Sequence, residues 1–214
     1  MRSSDFTNSD LVGTDLPNAD LFGTNLTNVD LGYADLTDAD LGNAKLTNAN
    51  LRYADLTNAD LFGANLTNSD LSFAYLTNAD LGNANLTNAD LLGSDLTNAD
   101  LFGITLTDAN LRVADFTNAN LRYADLTNAD LFGANLTDAN LLSSDLTDAN
   151  LLSSDLTNAD LRVADLTNVD FINAILDNTY FTCESLKDAN LINSVDLQKV
   201  RLFDSSMSEV STCN

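Results

Sequence analysis

Ala59-Asp60-Leu61-Phe62-Gly63-Ala64-Asn65-Leu66-Thr67-Asn68 is the segment that decides the fold. It holds two copies of one five-residue unit: a small residue, Asp or Asn, Leu, then two further residues. Working outward, Leu or Phe stands at every fifth position from Phe6 to Leu191 without a break. A period of five matches neither the 3.6 of a helix nor the 2.0 of a free strand. It requires a backbone that turns a corner every five residues. Four corners close a square coil of about 20 residues, and such coils stack as in other solenoids.

Two side chains per unit can point inward, the central Leu and the small residue two places before it, as in Leu61 and Ala59. The small residue leaves room at a crowded axis and the Leu fills it, burial of each being worth roughly 1.5–3 kcal/mol. Leu61, Leu81 and Leu101 are therefore core centres. The two residues after Leu form the corner. Gly or Asn is common at the second, as in Phe62-Gly63 and Thr57-Asn58. A type II turn needs positive φ there, which Gly and Asn tolerate. Where Val or Tyr stands instead, as in Arg112-Val113 and Arg52-Tyr53, the expectation is a different turn without positive φ.

On these residues, 4–194 resemble the pentapeptide-repeat proteins, whose motif is A(D/N)LXX. The resemblance implies an all-β fold, a right-handed quadrilateral β-helix, here of about ten coils with four pentapeptides each. It implies a single domain over 1–214, regular over 4–194, with an irregular C-terminal coil and tail over 195–214. In that tail the spacing slips from Leu191 to Leu197, then resumes at Leu202 and Met207. Almost every second unit is Leu-Thr-Asn or Leu-Thr-Asp, so opposite faces should look alike. Residues 51–67 and 121–137 are identical; their offset is not a whole number of coils, which points to sequence duplication.

The chain carries 32 acidic and 9 basic residues, a formal charge of -23. Phosphates would be repelled, so direct nucleic-acid binding is excluded, and cationic partners are favoured. Cys183 and Cys213 fall on different sides of a regular coil, which predicts free thiols and no disulfide. Free thiols suit a cytoplasmic location. Met1-Arg2-Ser3-Ser4 opens directly into repeat without an apolar signal segment, so Asn25-Leu26-Thr27 and three similar sequons read as by-products of the repeat. No apolar run is long enough to span a membrane.

Catalysis is not expected. The chain has no histidine, each Gly sits alone in a corner, and the aspartates fall at one outward repeat position instead of converging. No cofactor or metal is implied.

Residues 20 apart stack in columns spaced by about 4.8 Å. One column holds Asp20, Asp40, Asp60, Asp80 and Asp100. Two others are similarly acidic. A fourth reads Asn25, Lys45, Asn65, Asn85 and Thr105 before an acid appears at Asp125. Beside it runs the column Phe22, Gly42, Phe62, Gly82, Phe102. Phe22, Phe62 and Phe102 with Asn25 and Asn65 form a candidate contact edge; the competing reading is that each ring folds over the Gly of the next coil. Thr columns such as Thr27, Thr47, Thr67 and Thr87 raise ice binding as a minor alternative, although Thr also suits any exposed β position.

The leading expectation is a non-catalytic scaffold that binds a protein partner. The resemblance supplies a second: some pentapeptide-repeat proteins occupy bacterial type II topoisomerases in place of DNA, conferring quinolone resistance. Here the acidic column Asp20–Asp100 would face DNA gyrase or topoisomerase IV. A rod of roughly 50 Å would carry about 0.5 charges per Å, against about 0.6 for duplex DNA. Against this, the repeat has no inserted loop and its centres are Leu where such relatives use more Phe. No capping helix is evident at either end. Phe203 falls at an outward position, and end-to-end dimerisation through the C-terminal coils is expected.

Overall fold

In the computed structural model, residues 1–187, 189 and 199–213 are described. The slip between Leu191 and Leu197 lies outside them. The chain is a parallel β-solenoid. Each residue before a central Leu bridges its counterpart one coil away, always 20 residues on: Asp5 with Asn25, Asp60 with Asp80, and so on to Asp155 with Ile175. Among the described residues, longer ladder segments occur only near the C-terminus, as β1 (Asp160–Leu161), β2 (Tyr180–Thr182), β3 (Arg201–Phe203) and β4 (Glu209–Val210). No helix among the described residues is long and apolar enough to cross a membrane.

The interior is one continuous column. From Leu21 to Phe181 every central residue is buried, and Leu61, Leu81 and Leu101 are all 0% exposed. Ala59, Ala79 and Ala99 line the same interior. Phe116, Phe171 and Phe181 replace Leu at three centres and are fully buried. Ser or Thr replaces Ala at some small positions and stays satisfied where it is buried: Ser69 Oγ donates to the Leu66 carbonyl in its own corner at 2.6 Å, and Thr179 Oγ1 to the Leu156 carbonyl of the preceding coil at 2.8 Å.

The corners differ from expectation at one class of position. Every corner from Ser3 to Asn178 has positive φ at its second residue, including Tyr33, Tyr53, Tyr123, Val113 (φ 50°) and Val163. The expected alternative turn at Val113 and Tyr53 is therefore wrong. The reason is the register. Ala114 N–H closes the corner on the Leu111 carbonyl at 3.2 Å, while Val113 N–H reaches the Phe132 carbonyl of the next coil at 3.0 Å. A different turn would remove both bonds and shift the coil against its neighbours. Holding an L-residue in left-handed conformation costs about 1–2 kcal/mol, and the register imposes it. Val113 is more than half exposed, so its side chain packs little. Val113→Asn is accordingly expected to raise stability by about 1 kcal/mol in chemical denaturation.

The C-terminal end departs from the repeat. β3 runs parallel to β2 with Tyr180 opposite Arg201, an offset of 21 and not 20. β4 then turns back antiparallel along β3. Arg201 grips Glu209 with two guanidinium nitrogens at 2.9 and 3.0 Å and donates to Tyr180 Oη at 3.0 Å. The hairpin returns the tail to the rod, and Cys213 is disulfide-bonded to Cys183, with Cα atoms 5.4 Å apart. The expectation of free thiols is thus overturned: extending the regular coil through the tail placed Cys213 on the wrong side, because a hairpin reverses direction where a coil continues. The cytoplasmic expectation loses its footing in free thiols with it. Phe203 does take an outward register, beside Thr182, yet it is only 8% exposed. It stacks on Tyr180 at 5.8 Å, and Arg162 lies 5.0 Å from its ring centre. β4 occupies the edge of β3 along which an end-to-end dimer would pair.

Candidate functional site

The surface is built from the way one unit satisfies its five backbone N–H groups. In Asp60-Leu61-Phe62-Gly63-Ala64, Asp60 N–H donates to Ala39 of the preceding coil at 2.9 Å, and Leu61 N–H to Asp80 of the following coil at 2.7 Å. Gly63 N–H donates to Gly82 at 2.9 Å and Ala64 N–H closes the corner on Leu61 at 2.9 Å. The remaining donor, Phe62 N–H, goes to the Asp60 carboxylate Oδ1 at 2.9 Å. This is why Asp or Asn precedes Leu: each carries the oxygen that accepts the one N–H the coils cannot reach. Asn serves as well as Asp, as where Arg52 N–H donates to Asn50 Oδ1 at 3.1 Å.

The Thr columns arise from the same geometry. Thr37 donates to Asp35 Oδ1 through both its N–H, at 2.9 Å, and its hydroxyl, at 2.6 Å. The hydroxyl bond, then the amide bond, hold the Asp35 carboxyl below its ordinary pKa. Thr27 treats Asn25, and Thr67 treats Asn65, in the same way. Many of the Thr hydroxyls thus engage their own coil.

The column Asp20, Asp40, Asp60, Asp80, Asp100 is continuous in the ladder and ends at Asn120. Each Oδ1 accepts the N–H two residues on, which leaves Oδ2 free of the backbone. Where Asn interrupts an acidic column it relieves the repulsion: Asn50 donates to Asp30 at 2.7 Å and Asn120 to Asp100 at 2.7 Å. No such break occurs between Asp20 and Asp100. The fourth column carries no acid from Asn25 to Thr105 and one cation, Lys45, but Asp5 stands at its head, opposite Asn25.

Phe22, Phe62 and Phe102 lie between these two columns and are 38%, 47% and 39% exposed. Their edge is therefore flanked by acid on one side and is not wholly uncharged. The rings of Phe22 and Phe62 lie over Gly42 and Gly82, where an added Cβ would come within 3.0 Å of each ring. Phe102 instead meets Tyr123 edge-on at 5.3 Å, with Arg122 6.0 Å from its centre. At the head of the edge Arg2 pairs with Asp20 Oδ2 at 2.6 Å and Asp40 Oδ2 at 3.3 Å. The Asp20 carboxyl is held below its ordinary pKa by the Arg2 bond.

Two further features add to the surface, the first visible in the sequence as a column at spacing 20 and the second not. Tyr33, Tyr53 and Phe73 stack in a ladder at 4.9 and 5.2 Å on the opposite side of the coil. A cleft of about 560 Å³ lies under the C-terminal hairpin, lined by Leu142, Val163, Asp165, Thr182, Glu184 and Met207 among others. The ladder depends on residues 20 apart and the cleft on the reversed tail.

A family model for pentapeptide repeats matches the chain in eight copies over overlapping stretches from residue 1 to 208. The chain is a pentapeptide-repeat protein. Among solved pentapeptide-repeat structures it is similar to HetL from the cyanobacterium Nostoc sp., a protein involved in heterocyst differentiation regulation. That match has 31% identity and a TM-score of 0.70, and covers 83% of this chain and 89% of HetL. A pentapeptide-repeat protein of the Arabidopsis thaliana thylakoid lumen matches at 29% identity and a TM-score of 0.38, covering 51% of this chain and 69% of the other. QnrB1, a plasmid-mediated fluoroquinolone resistance protein, matches at 20% identity and a TM-score of 0.47, covering 94% and 92%. No curated protein matches. Like its relatives, the pentapeptide-repeat chain is a β-helix.

Proposed function

We propose that this pentapeptide-repeat β-helix, right-handed and of about ten coils, is a non-catalytic scaffold that recognises a protein partner along its Phe22–Phe62–Phe102 edge. One observation carries the reading: aromatic rings stay over a third exposed beside a column of carboxylates that spend only Oδ1 on the backbone. Aromatic and charged groups at a fixed spacing on a rigid frame suit recognition. The regulatory role of HetL is in keeping with a scaffold. The test is affinity capture with the intact chain beside Phe62→Ser. A partner retained by the former and lost by the latter supports the edge; equal recovery of the same proteins removes it.

A second reading, mimicry of DNA toward a type II topoisomerase, is favoured by the unbroken run of five stacked aspartates. Gyrase supercoiling at two salt concentrations separates the two. Salt-sensitive inhibition at micromolar protein would favour mimicry, and none would leave the scaffold.

A further inference from the structure

The seat that Arg2 occupies recurs two coils along the rod. Arg2 makes three contacts there: Nε with Asp20 Oδ2 at 2.6 Å, Nη2 with Asp40 Oδ2 at 3.3 Å, and its Cζ over the Phe22 ring at 5.2 Å. The guanidinium thus bridges carboxylates of successive coils while lying on an aromatic face. The surroundings are held by backbone. Phe22 N–H and Gly42 N–H fix Asp20 and Asp40 through Oδ1 at 3.4 and 3.1 Å, leaving each Oδ2 for the guanidinium. Gly42 lets the Phe22 ring lie flat: an added Cβ would stand 3.0 and 3.2 Å from ring atoms Cδ2 and Cε2.

Forty residues on, each part is repeated. Phe62 N–H and Gly82 N–H fix Asp60 and Asp80 through Oδ1, both at 2.9 Å. A Cβ added at Gly82 would stand at the same 3.0 and 3.2 Å from Phe62 Cδ2 and Cε2. Phe62 is the more exposed of the two rings, at 47% against 38%. Among the described residues no cation pairs with Asp60 or Asp80, and none lies over Phe62. The next repeat is already modified. At Phe102, Asn120 replaces the second carboxylate and donates to Asp100, and Arg122 stands near the ring.

We propose that Asp60, Phe62 and Asp80 form a preorganised clip for an arginine side chain on a protein partner, with Arg2 filling the equivalent clip within the chain. This rests on the scaffold reading and names the chemistry of its edge. Arginine is specified over lysine because two carboxylates about 4.8 Å apart suit a planar fork with several donors, and a flat cation stacks on the ring where an ammonium makes a point contact.

The test is an NMR titration of the full, 15N-labelled chain with N-acetyl-arginine amide and N-acetyl-lysine amide. Arginine amide is expected to shift the Phe62 and Gly82 amides saturably, with a midpoint at least about threefold lower than that of lysine amide. Arg2→Ala should add the Phe22 and Gly42 amides to the responding set. Asp80→Asn should raise the midpoint at Phe62 several-fold while the rod stays folded, since Asn still accepts the Gly82 N–H, as Asn50 does from Arg52. Equal midpoints for the two amides, shifts spread evenly over the Asp10–Asp30 column, silence of Phe22 and Gly42 in Arg2→Ala, or no effect of Asp80→Asn would each overturn the clip. Because no partner is used, failure here leaves the capture experiment as an independent test of the scaffold.

Discussion

Leu81→Asp is expected to destabilise the rod by about 4–5 kcal/mol or more, whereas Asp80→Asn, one residue away, should change stability by less than about 0.5 kcal/mol. Leu81 is 0% exposed and sits in the column of central residues, one coil from Leu61 and one from Leu101. Removing its buried side chain alone costs about 2–5 kcal/mol. The carboxylate put in its place would find no donor, because the nearby amides are committed: Leu81 N–H to Asp100 at 2.7 Å, Ala84 N–H to Leu81 at 3.0 Å. Protonation of the new group would soften this penalty without removing it. Asp80 faces outward, and its one structural task, accepting Gly82 N–H, passes to Asn unchanged. In a solenoid each coil touches only its neighbours, so the damage should be regional. Urea denaturation should show a lowered midpoint. Hydrogen exchange should show lost protection centred on residues 61–101 and retained protection in the distal coils. Equal stability of the two variants would reverse the inward and outward assignment.

The second large effect is expected at the C-terminus. The bond from Cys183 to Cys213 closes a loop with a sequence separation of 30. In the chain-entropy view such a loop is worth about 3–4 kcal/mol. That stabilisation belongs to the hairpin of β3 and β4, which is otherwise held by short pairings and the Arg201–Glu209 pair. Exposed ion pairs contribute little, about 0–1 kcal/mol. Cys213→Ser, or reduction of the wild type, should therefore release β3 and β4, uncover Phe203 and Tyr180, and leave the coils before Asp160 intact. Hydrogen exchange read at Leu202 and Phe203 against Leu81 is the measurement. Unchanged exchange at the hairpin after reduction would show that side-chain packing alone holds the tail.

Much of the fold was legible because its information is local and repeated. Leu or Phe at every fifth position, with a small residue two places earlier, can be buried only by a chain that turns at that period. The buried status of Leu61, Leu81 and Leu101 follows from the pattern. So does the stacking of Asp60 on Asp80. The contact edge was legible in part: the Phe22–Phe62–Phe102 column is visible in the sequence, whereas the packing of each ring between the Asp5–Asn25 column and the Asp20 column is set by the stacked coils. Arg2 looked like part of an unremarkable terminus; its spacing to Asp20 and Asp40 has meaning only once coils 20 residues apart are neighbours.

The sequence by itself determined the repeat, the inward and outward residues and the register of 20, since periodic hydrophobicity selects one way to exclude water. Tertiary structure decided the rest. Val113 and Tyr53 adopt positive φ because inter-coil hydrogen bonds outweigh their own preference. Asp60 is an acceptor for Phe62 N–H because the coil geometry leaves that donor without a carbonyl. Cys183 meets Cys213, and Phe203 is covered, because the tail reverses. The first two follow from bonds between coils that set the backbone of each corner, and the last from a reversal of the tail that the repeat does not encode.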